Sequence, residues 1–363
     1  MRKKICLLYN HFQLQDGVNR SAMDIANEMV KRDDVEITLI PIYTFDKECF
    51  KFLDQRVKVK KGFGFYFRGL GSIMSRYAPP RLLYKWLVND KYDVNIAFQY
   101  GLGEKIIASG VHRSHASIGW MHGFDEGLVF ANEYKRMGKV VCVSKCNADR
   151  LSKEMQGAIE VDYNYNPIND EKIRLQGEAP IDINRSEYMQ FVTVGRMSPE
   201  KGFGRLLDIV SKLKEAGYKL SLWLIGDGPI LPQLKQQVRD LKIENEVTFI
   251  GRKSNPHAYT AKADIFVCSS FTEGYSTTCT EAVMLGVPVV STSVSGADEI
   301  ISEAECGLVC GMDDQDLYEA LKYCLDNIDI VNAWKNTLRR TRYKFSPSMR
   351  IKRFCKIIGL DNE

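Results

Sequence analysis

The chain has 363 residues, more than one hydrophobic core usually spans, so two domains are expected. Hydrophobic residues make up 45% and charged residues 26%, and no apolar run approaches the roughly 18 residues that cross a bilayer. The net charge of +4 is too mild for a dedicated nucleic-acid binder.

The amino terminus, MRKKICLLYN, has an apolar stretch of about four residues with no small-residue cleavage site behind it, and reads as a first strand rather than a leader. Asp16-Gly17 follow in a loop, then the helical pattern SAMDIANEMVKR (21–32) and the run VEITLI (35–40). Residues 57–86, VKVKKGFGFYFRGLGSIMSRYAPPRLLYKW, mix Lys and Arg with aromatics and hold no acid. That mixture suits an anionic membrane interface, where rings sit at headgroup level and cations meet lipid phosphates; a solvated loop and helix is the plainer alternative. Gly62-Phe63-Gly64 lacks the third glycine of a dinucleotide fingerprint.

The runs VNIAF (94–98), ASIGWM (116–121) and VVCVS (140–144) continue the series, and His122 follows the second of them directly. A histidine at a strand's carboxyl end suits a ligand cleft, although a structural role is the competing reading; His11, His112, His115 and His257 read as surface or structural residues. Near-continuous hydrophobic runs bounded by Gly, Ser or Asp are how parallel strands buried on both faces appear. The rhythm breaks at 166–188, polar, with two prolines and no apolar period, which reads as the interdomain segment.

Beyond it, FVTVG (191–195) runs into Arg196, with Lys201 and Gly202 where a helix (203–217) begins. Two cations beside free helix-terminal amides form a diphosphate cradle; a solvated turn is the alternative. LSLWLIG (220–226) leads into Gly226-Asp227-Gly228-Pro229, which a tight turn explains equally well, and a helix (230–242). VTFIG (247–251) and DIFVCS (264–269) follow, and then FTEGYSTTCTEAVMLGVPVVST, in which Glu273 and Glu281 flank seven residues. A helix starting near Ser276 or Thr277 offers amides to a phosphate and leaves the two carboxylates as acceptors for sugar hydroxyls, unless both are surface acids. A last helix, opened by Ser346-Pro347, is expected to return to the first domain. The ten cysteines form no disulfide framework, and the pairs Cys142/Cys146 and Cys306/Cys310 lack companion ligands for zinc, so reduced thiols in the cytoplasm are expected.

DGVNRSAMDIANEM, WMHG, VCVSK, YNPI, VGRMSPEKGF, LIGDGP, FIGR, ADIFVCSSFTEGYSTTCTEAVMLGVPVVST and SGADEII, in this order, resemble the retaining glycosyltransferase family 4 of the GT-B fold; residues about 45–90 align with nothing in it. The resemblance implies an α/β chain of two doubly wound Rossmann-like domains facing across a cleft. Residues 1–168, with the helix of about 347–363, would bind the acceptor, and 169–346 the nucleotide sugar. It implies a transferase that moves a sugar from a nucleotide-diphosphate donor, a UDP-sugar first and a GDP-sugar second, to a hydroxyl of a glycan or lipid-linked acceptor. The anomeric configuration would be retained without a metal or other cofactor. Together with the basic-aromatic stretch of 57–86, the motif series points to surface polysaccharide biosynthesis by a cytoplasmic chain that can be peripheral on the inner face of the plasma membrane.

Carried over residue by residue, Arg196 and Lys201 would neutralise the departing diphosphate and Glu281 would bind the ribose. Glu273, with Gly274, Tyr275, Ser276 and Thr277, would hold the donor sugar. His122 would lie near the reacting carbon, Gly17 would admit the phosphates or acceptor, and Gly251-Arg252 would meet the base. Two departures stand out: Asp16 replaces one of a usual glycine pair, and Thr277, Thr278, Cys279 and Thr280 occupy a usually apolar stretch. A nucleotide-sugar epimerase of the same fold and a catalytically silent scaffold subunit are the competing readings.

Overall fold

The computed structural model describes residues 2–13, 17–89, 91–111, 115–123 and 129–360; Asp16 and His112 lie outside the described residues. The chain divides into two compact units, Met1–Ile168 with Pro347–Glu363, and Asn169–Ser346.

Among the described residues, the first unit holds β1 (Lys3–Phe12), β2 (Val35–Phe45), β3 (Lys58–Val59), β4 (Val94–Ala97), β5 (Ala116–Met121), β6 (Lys139–Cys142) and β7 (Glu160–Tyr163). They form one sheet in the order β3-β2-β1-β4-β5-β6-β7, with every pairing parallel. Ile5 to Tyr9 of β1 are each 0% exposed, as a central strand covered on both faces requires. Helix Gly17–Met29 buries Ala22, Ile25, Ala26 and Met29, a stripe at helical spacing. The terminal helix Pro347–Ile357 has Pro at its first position, where a missing amide costs nothing. It belongs to this unit: Phe354 lies 5.7 Å from the ring of Trp120, and Arg353 bonds Asp162 and the Tyr163 carbonyl, both at 2.5 Å.

The second unit holds β8 (Met189–Val194), β9 (Leu220–Ile225), β10 (Val247–Gly251), β11 (Ile265–Cys268), β12 (Val289–Thr292) and β13 (Leu308–Cys310), in the parallel order β10-β9-β8-β11-β12-β13. In each sheet the strand order reverses at one place, between β1 and β4 and between β8 and β11. Open parallel sheets place ligands beyond the carboxyl ends of their strands at such a point.

Two expectations need correction. Residues 166–188 are not a plain connecting segment: Asp170–Glu178 is a helix of the second unit, capped by the Asn169 side chain accepting from Lys172 N at 2.9 Å. Its apolar face was invisible because it packs through glycine; a Cβ on Gly177 would stand 2.5 Å from Leu285. Three strands, β3, β7 and β13, had no counterpart among the apolar runs. All lie at sheet edges, where strands are short and partly polar.

Residues 57–86 form β3 and the helices Leu70–Tyr77 and Pro80–Leu87. Leu70, Leu83, Tyr84 and Leu87 enter the core, while Phe65, Phe67, Ile73, Tyr77, Leu82 and Trp86 are exposed. Of the cations, Lys60 donates to the carbonyls of Trp86 and Leu87 at 2.6 Å and exposed Lys58 pairs with Glu36 at 2.7 Å; Lys61, Arg68, Arg76, Arg81 and Lys85 are exposed as well. Among the described residues no helix is long and apolar enough to cross a membrane.

Candidate functional site

In the second unit the loops after β8 and β11 meet. The loop after β8 carries Arg196, which is exposed, and a single turn Pro199–Lys201 that ends at Gly202 with φ +64°. Gly202 is required on two counts: its left-handed backbone, and the carbonyl of Ser269, which a Cβ would approach to 2.0 Å. That close approach sets Lys201 beside the second loop. Its ammonium lies 2.8 Å from Glu273 Oε1, to which the Ser270 hydroxyl also donates at 2.7 Å. Burial alone would pull the lysine pKa down; the charge and hydrogen bond of Glu273 outweigh it and hold Lys201 above its ordinary value.

A buried arginine that the sequence reading passed over fixes this arrangement. Arg205 donates at 2.8 Å to the carbonyls of Ser269, Ser270 and Met312, and its guanidinium lies 4.1 Å from the Phe271 ring centroid. The loop carrying Glu273 is thereby held by two charge-assisted bonds, and a third ties Arg205 to the loop after β13. Gly226 and Gly228 also have an assignment: their missing side chains make room for the backbone of Gly195 and Met197, with Cβ clearances of 1.9 and 2.3 Å. The GDGP turn thus braces the Arg196 loop, which is the plain tight-turn reading.

Ser276 caps helix Thr277–Met284, accepting from Cys279 N at 3.3 Å. Of the hydroxyls between the two acids, Thr278 contacts Ser276 and Thr280 bonds back to the Ser276 carbonyl, leaving Thr277 half-buried at the first turn. Gly274 is half-buried and Tyr275 is 6% exposed. Glu281 is not beside Glu273 in any bond described; it lies 3.3 Å from His257 Nε2. His257, expected to be a surface or structural residue, is 7% exposed and bonds Gln176 through Nδ1 at 2.8 Å. No local sequence pattern flags it. Gly251, φ +74°, ends β10, and Arg252 beyond it is exposed.

In the first unit His122 follows β5. Its Nε2 lies 2.9 Å from the Phe98 carbonyl, which can only accept, so Nε2 carries the proton and Nδ1 is left as an acceptor. Burial, partly offset by that bond, brings its pKa down to about 4, so the ring is neutral at physiological pH. His122 lines a cavity of about 340 Å³ together with Val18, Gln99, Tyr100, Trp120 and Phe130. Gly17 opens the helix next to Val18. Glu104, also in the wall, is 0% exposed; its Oε2 accepts from Gly101 N at 2.8 Å, and its Oε1 has no hydrogen-bond partner. Burial pushes its carboxyl well above the usual carboxylate range. Nothing in the sequence marks Glu104 beyond its place in a helix's first turn.

The sequence model described as glycosyl transferases group 1 matches residues 180–341. A Campylobacter jejuni protein named N-acetylgalactosamine-N,N'-diacetylbacillosaminyl-diphospho-undecaprenol 4-alpha-N-acetylgalactosaminyltransferase is 29% identical over 191 residues, which span 52% of this chain and only 50% of that relative. The lipopolysaccharide core biosynthesis glycosyltransferase LpsD of Rhizobium meliloti is 24% identical over 93% of this chain and 94% of its own. Among solved structures, Anabaena HepE in complex with UDP superposes with a TM-score of 0.75 at 18% identity, covering 98% of this chain and 99% of that one. Residues 180–341 are thus similar to the glycosyl transferases group 1 family, and the fold of the chain is that of the GT-B glycosyltransferases.

Proposed function

We propose that the chain transfers a sugar from a nucleotide-diphosphate sugar to a hydroxyl of a glycan or lipid-linked acceptor, with retention of configuration and without a metal, in surface polysaccharide biosynthesis. The observation that carries this reading is the Lys201–Glu273–Ser270 cluster at the reversal point of the second sheet, where a cation and a sugar-sized set of acceptors share one loop pair. Relatives supply the direction: one is named for an undecaprenol-linked acceptor, another for lipopolysaccharide core synthesis, and a structural neighbour holds UDP.

In this reading Lys201 exchanges its contact with Glu273 for the donor's phosphate and, with Arg196 and the amides around Ser276 and Thr277, neutralises the charge that grows on the leaving diphosphate. Electrostatic stabilisation of developing charge is usually the largest catalytic contribution. Glu273, released from the lysine, accepts from hydroxyls of the donor sugar, with Gly274 and Tyr275 shaping the same turn. Glu281 accepts from the ribose, and Gly251 and Arg252 meet the base. Gly17 and His122 belong to the acceptor side. Because its ring is neutral, His122 serves as a hydrogen-bond acceptor at Nδ1 and not as a general acid. The exposed aromatics and arginines of residues 65–86 rest on an anionic membrane surface on the cytoplasmic side, where a lipid-linked acceptor is found.

The test is a panel of UDP- and GDP-sugars incubated with the chain and membrane-extracted acceptors, with nucleoside diphosphate release as the signal and NMR of the product to read its anomeric configuration. Acceptor-dependent release from one donor, undiminished by a chelator, is expected. Turnover of no donor would sink the proposal, and an epimerised free sugar formed without acceptor would replace it with an epimerase.

A further inference from the structure

His257 sits between two side chains from different helices. Helix Asp170–Glu178 supplies Gln176, whose Oε1 lies 2.8 Å from His257 Nδ1, and helix Thr277–Met284 supplies Glu281, whose Oε2 lies 3.3 Å from Nε2. His257 and Glu281 are each 7% exposed, so the contact is shielded from water. The Gln176 backbone carbonyl also accepts from Asn255 Nδ2 at 2.9 Å, which ties down the turn leading into His257. The imidazole thus has one edge anchored and the other turned to the carboxylate.

The second edge is incomplete. Nε2 has no hydrogen-bond partner even though Oε2 is within 3.3 Å, so the two atoms touch outside bonding geometry. An amide oxygen only accepts, so Gln176 as oriented requires the proton on Nδ1 and leaves Nε2 of a neutral ring as an acceptor facing another acceptor. A buried contact of that kind is costly unless a proton comes between the two atoms. Either Nε2 carries one, through a turned Gln176 amide or a charged ring, or a ligand hydroxyl brings it.

We propose that His257 is a positioning residue for the donor nucleotide: anchored by Gln176, it occupies one side of the Glu281 carboxylate and so sets the direction in which Glu281 meets the ribose hydroxyls. This rests on the reading of Glu281 as the ribose acceptor. The role explains why a helix of the second unit's first segment, Asp170–Glu178, packs through Gly177 so closely against Leu285: it brings Gln176 to the histidine. It also predicts that ribose recognition fails when the histidine's polar edge is lost, even with its volume kept.

The experiment is calorimetric titration of the full chain with UDP and GDP and with their 2′,3′-dideoxy counterparts, on wild type, Glu281→Gln, His257→Phe and His257→Gln. A carboxylate accepting ribose hydroxyls should make wild type prefer the ribose form by about tenfold to a hundredfold. Glu281→Gln and His257→Phe should both shrink that preference to within about threefold, while His257→Gln, whose amide can donate where Nε2 stands, should restore most of it. If His257→Phe keeps the wild-type preference while Glu281→Gln loses it, His257 positions nothing and the ribose reading of Glu281 survives. If Glu281→Gln also keeps it, or wild type binds neither nucleotide, the ribose reading fails and the inference goes with it. Equal loss in both histidine variants, accompanied by a lowered melting temperature, would make His257 a packing residue and overturn the proposal.

Discussion

The two sheets end alike, in loops beyond a reversal of strand order, yet the side chains they gather there are electrostatic opposites. At the end of the second sheet the groups are charged and compensated: Lys201 against Glu273, and Arg205 against three carbonyls. At the end of the first sheet burial works against charge: it keeps His122 neutral and pushes the Glu104 carboxyl well above its usual range, in the wall of a cavity lined largely by aromatic and aliphatic side chains. In the proposed reading, the contrast lets similar scaffolds serve an anion at one end and an uncharged, hydroxyl-bearing partner at the other. A dianionic leaving group calls for fixed cations, whereas a sugar stacks on rings and exchanges neutral hydrogen bonds.

Five predictions sharpen or break the contrast. The largest effect belongs to Lys201→Ala, which should reduce turnover by about a hundredfold to a thousandfold with the melting temperature nearly unchanged, because a contact to developing charge is lost. Steady-state kinetics beside a thermal melt check this, and near-normal turnover would remove the charged end from the mechanism. Next comes Arg205→Met, which strips a donor from three loop carbonyls and should cost about 3 kcal/mol or more in urea unfolding. Glu104→Gln in the first unit should cost less than about 1 kcal/mol by the same measurement, since burial disfavours the carboxylate and an amide has the shape of the neutral acid. A large loss at Glu104 would mean that it is ionised.

The fourth prediction follows from His122. Its folded pKa of about 4 lies below the ordinary 6.5, so the unfolded chain binds the extra proton in that interval. The contribution of the neutral ring to stability is therefore complete above pH 6.5 and is lost as pH falls toward 4. Urea unfolding of wild type and His122→Gln at neutral and mildly acidic pH should show the steeper acid loss in wild type, and parallel curves would contradict it. The smallest effect is expected at the membrane face. Removing the charges of Arg68, Arg76 and Arg81 should weaken pelleting with anionic vesicles by about 1 kcal/mol each in a salt-sensitive way. Lys58→Gln should change it little, because that lysine is paired with Glu36.

The alternation of apolar runs and amphipathic segments made the sheets legible, since strands buried on both faces leave a continuous hydrophobic record. The helix start at Ser276-Thr277 was readable from its capping serine and the β-strand before it. Helix Asp170–Glu178 was not, because a helix that packs through a glycine with Leu175 turned outward leaves no apolar stripe. The edge strands β3, β7 and β13 were too short to leave one. For the candidate site, polar and charged residues on loops could be singled out from the sequence, and those that act through a distant partner could not. Arg205 looks like one more cation on an amphipathic helix, and its function appears only when the carbonyls of Ser269, Ser270 and Met312 are seen around it. His257 and Glu104 are similar: each depends on a partner, or the lack of one, that lies far away in sequence or has no sequence mark. The basic stretch shows the converse, for its composition counted Lys58 and Lys60 as available when both are engaged within the fold.

The most direct measurement of the central claim is a crystal structure of the full chain with a bound nucleoside diphosphate. The account predicts phosphate oxygens within hydrogen-bond distance of Lys201 Nζ and the amides at the start of helix Thr277–Met284, with Glu273 turned away from the lysine and Glu281 on the ribose. A nucleotide bound elsewhere, with the Lys201–Glu273 pair intact, would contradict it.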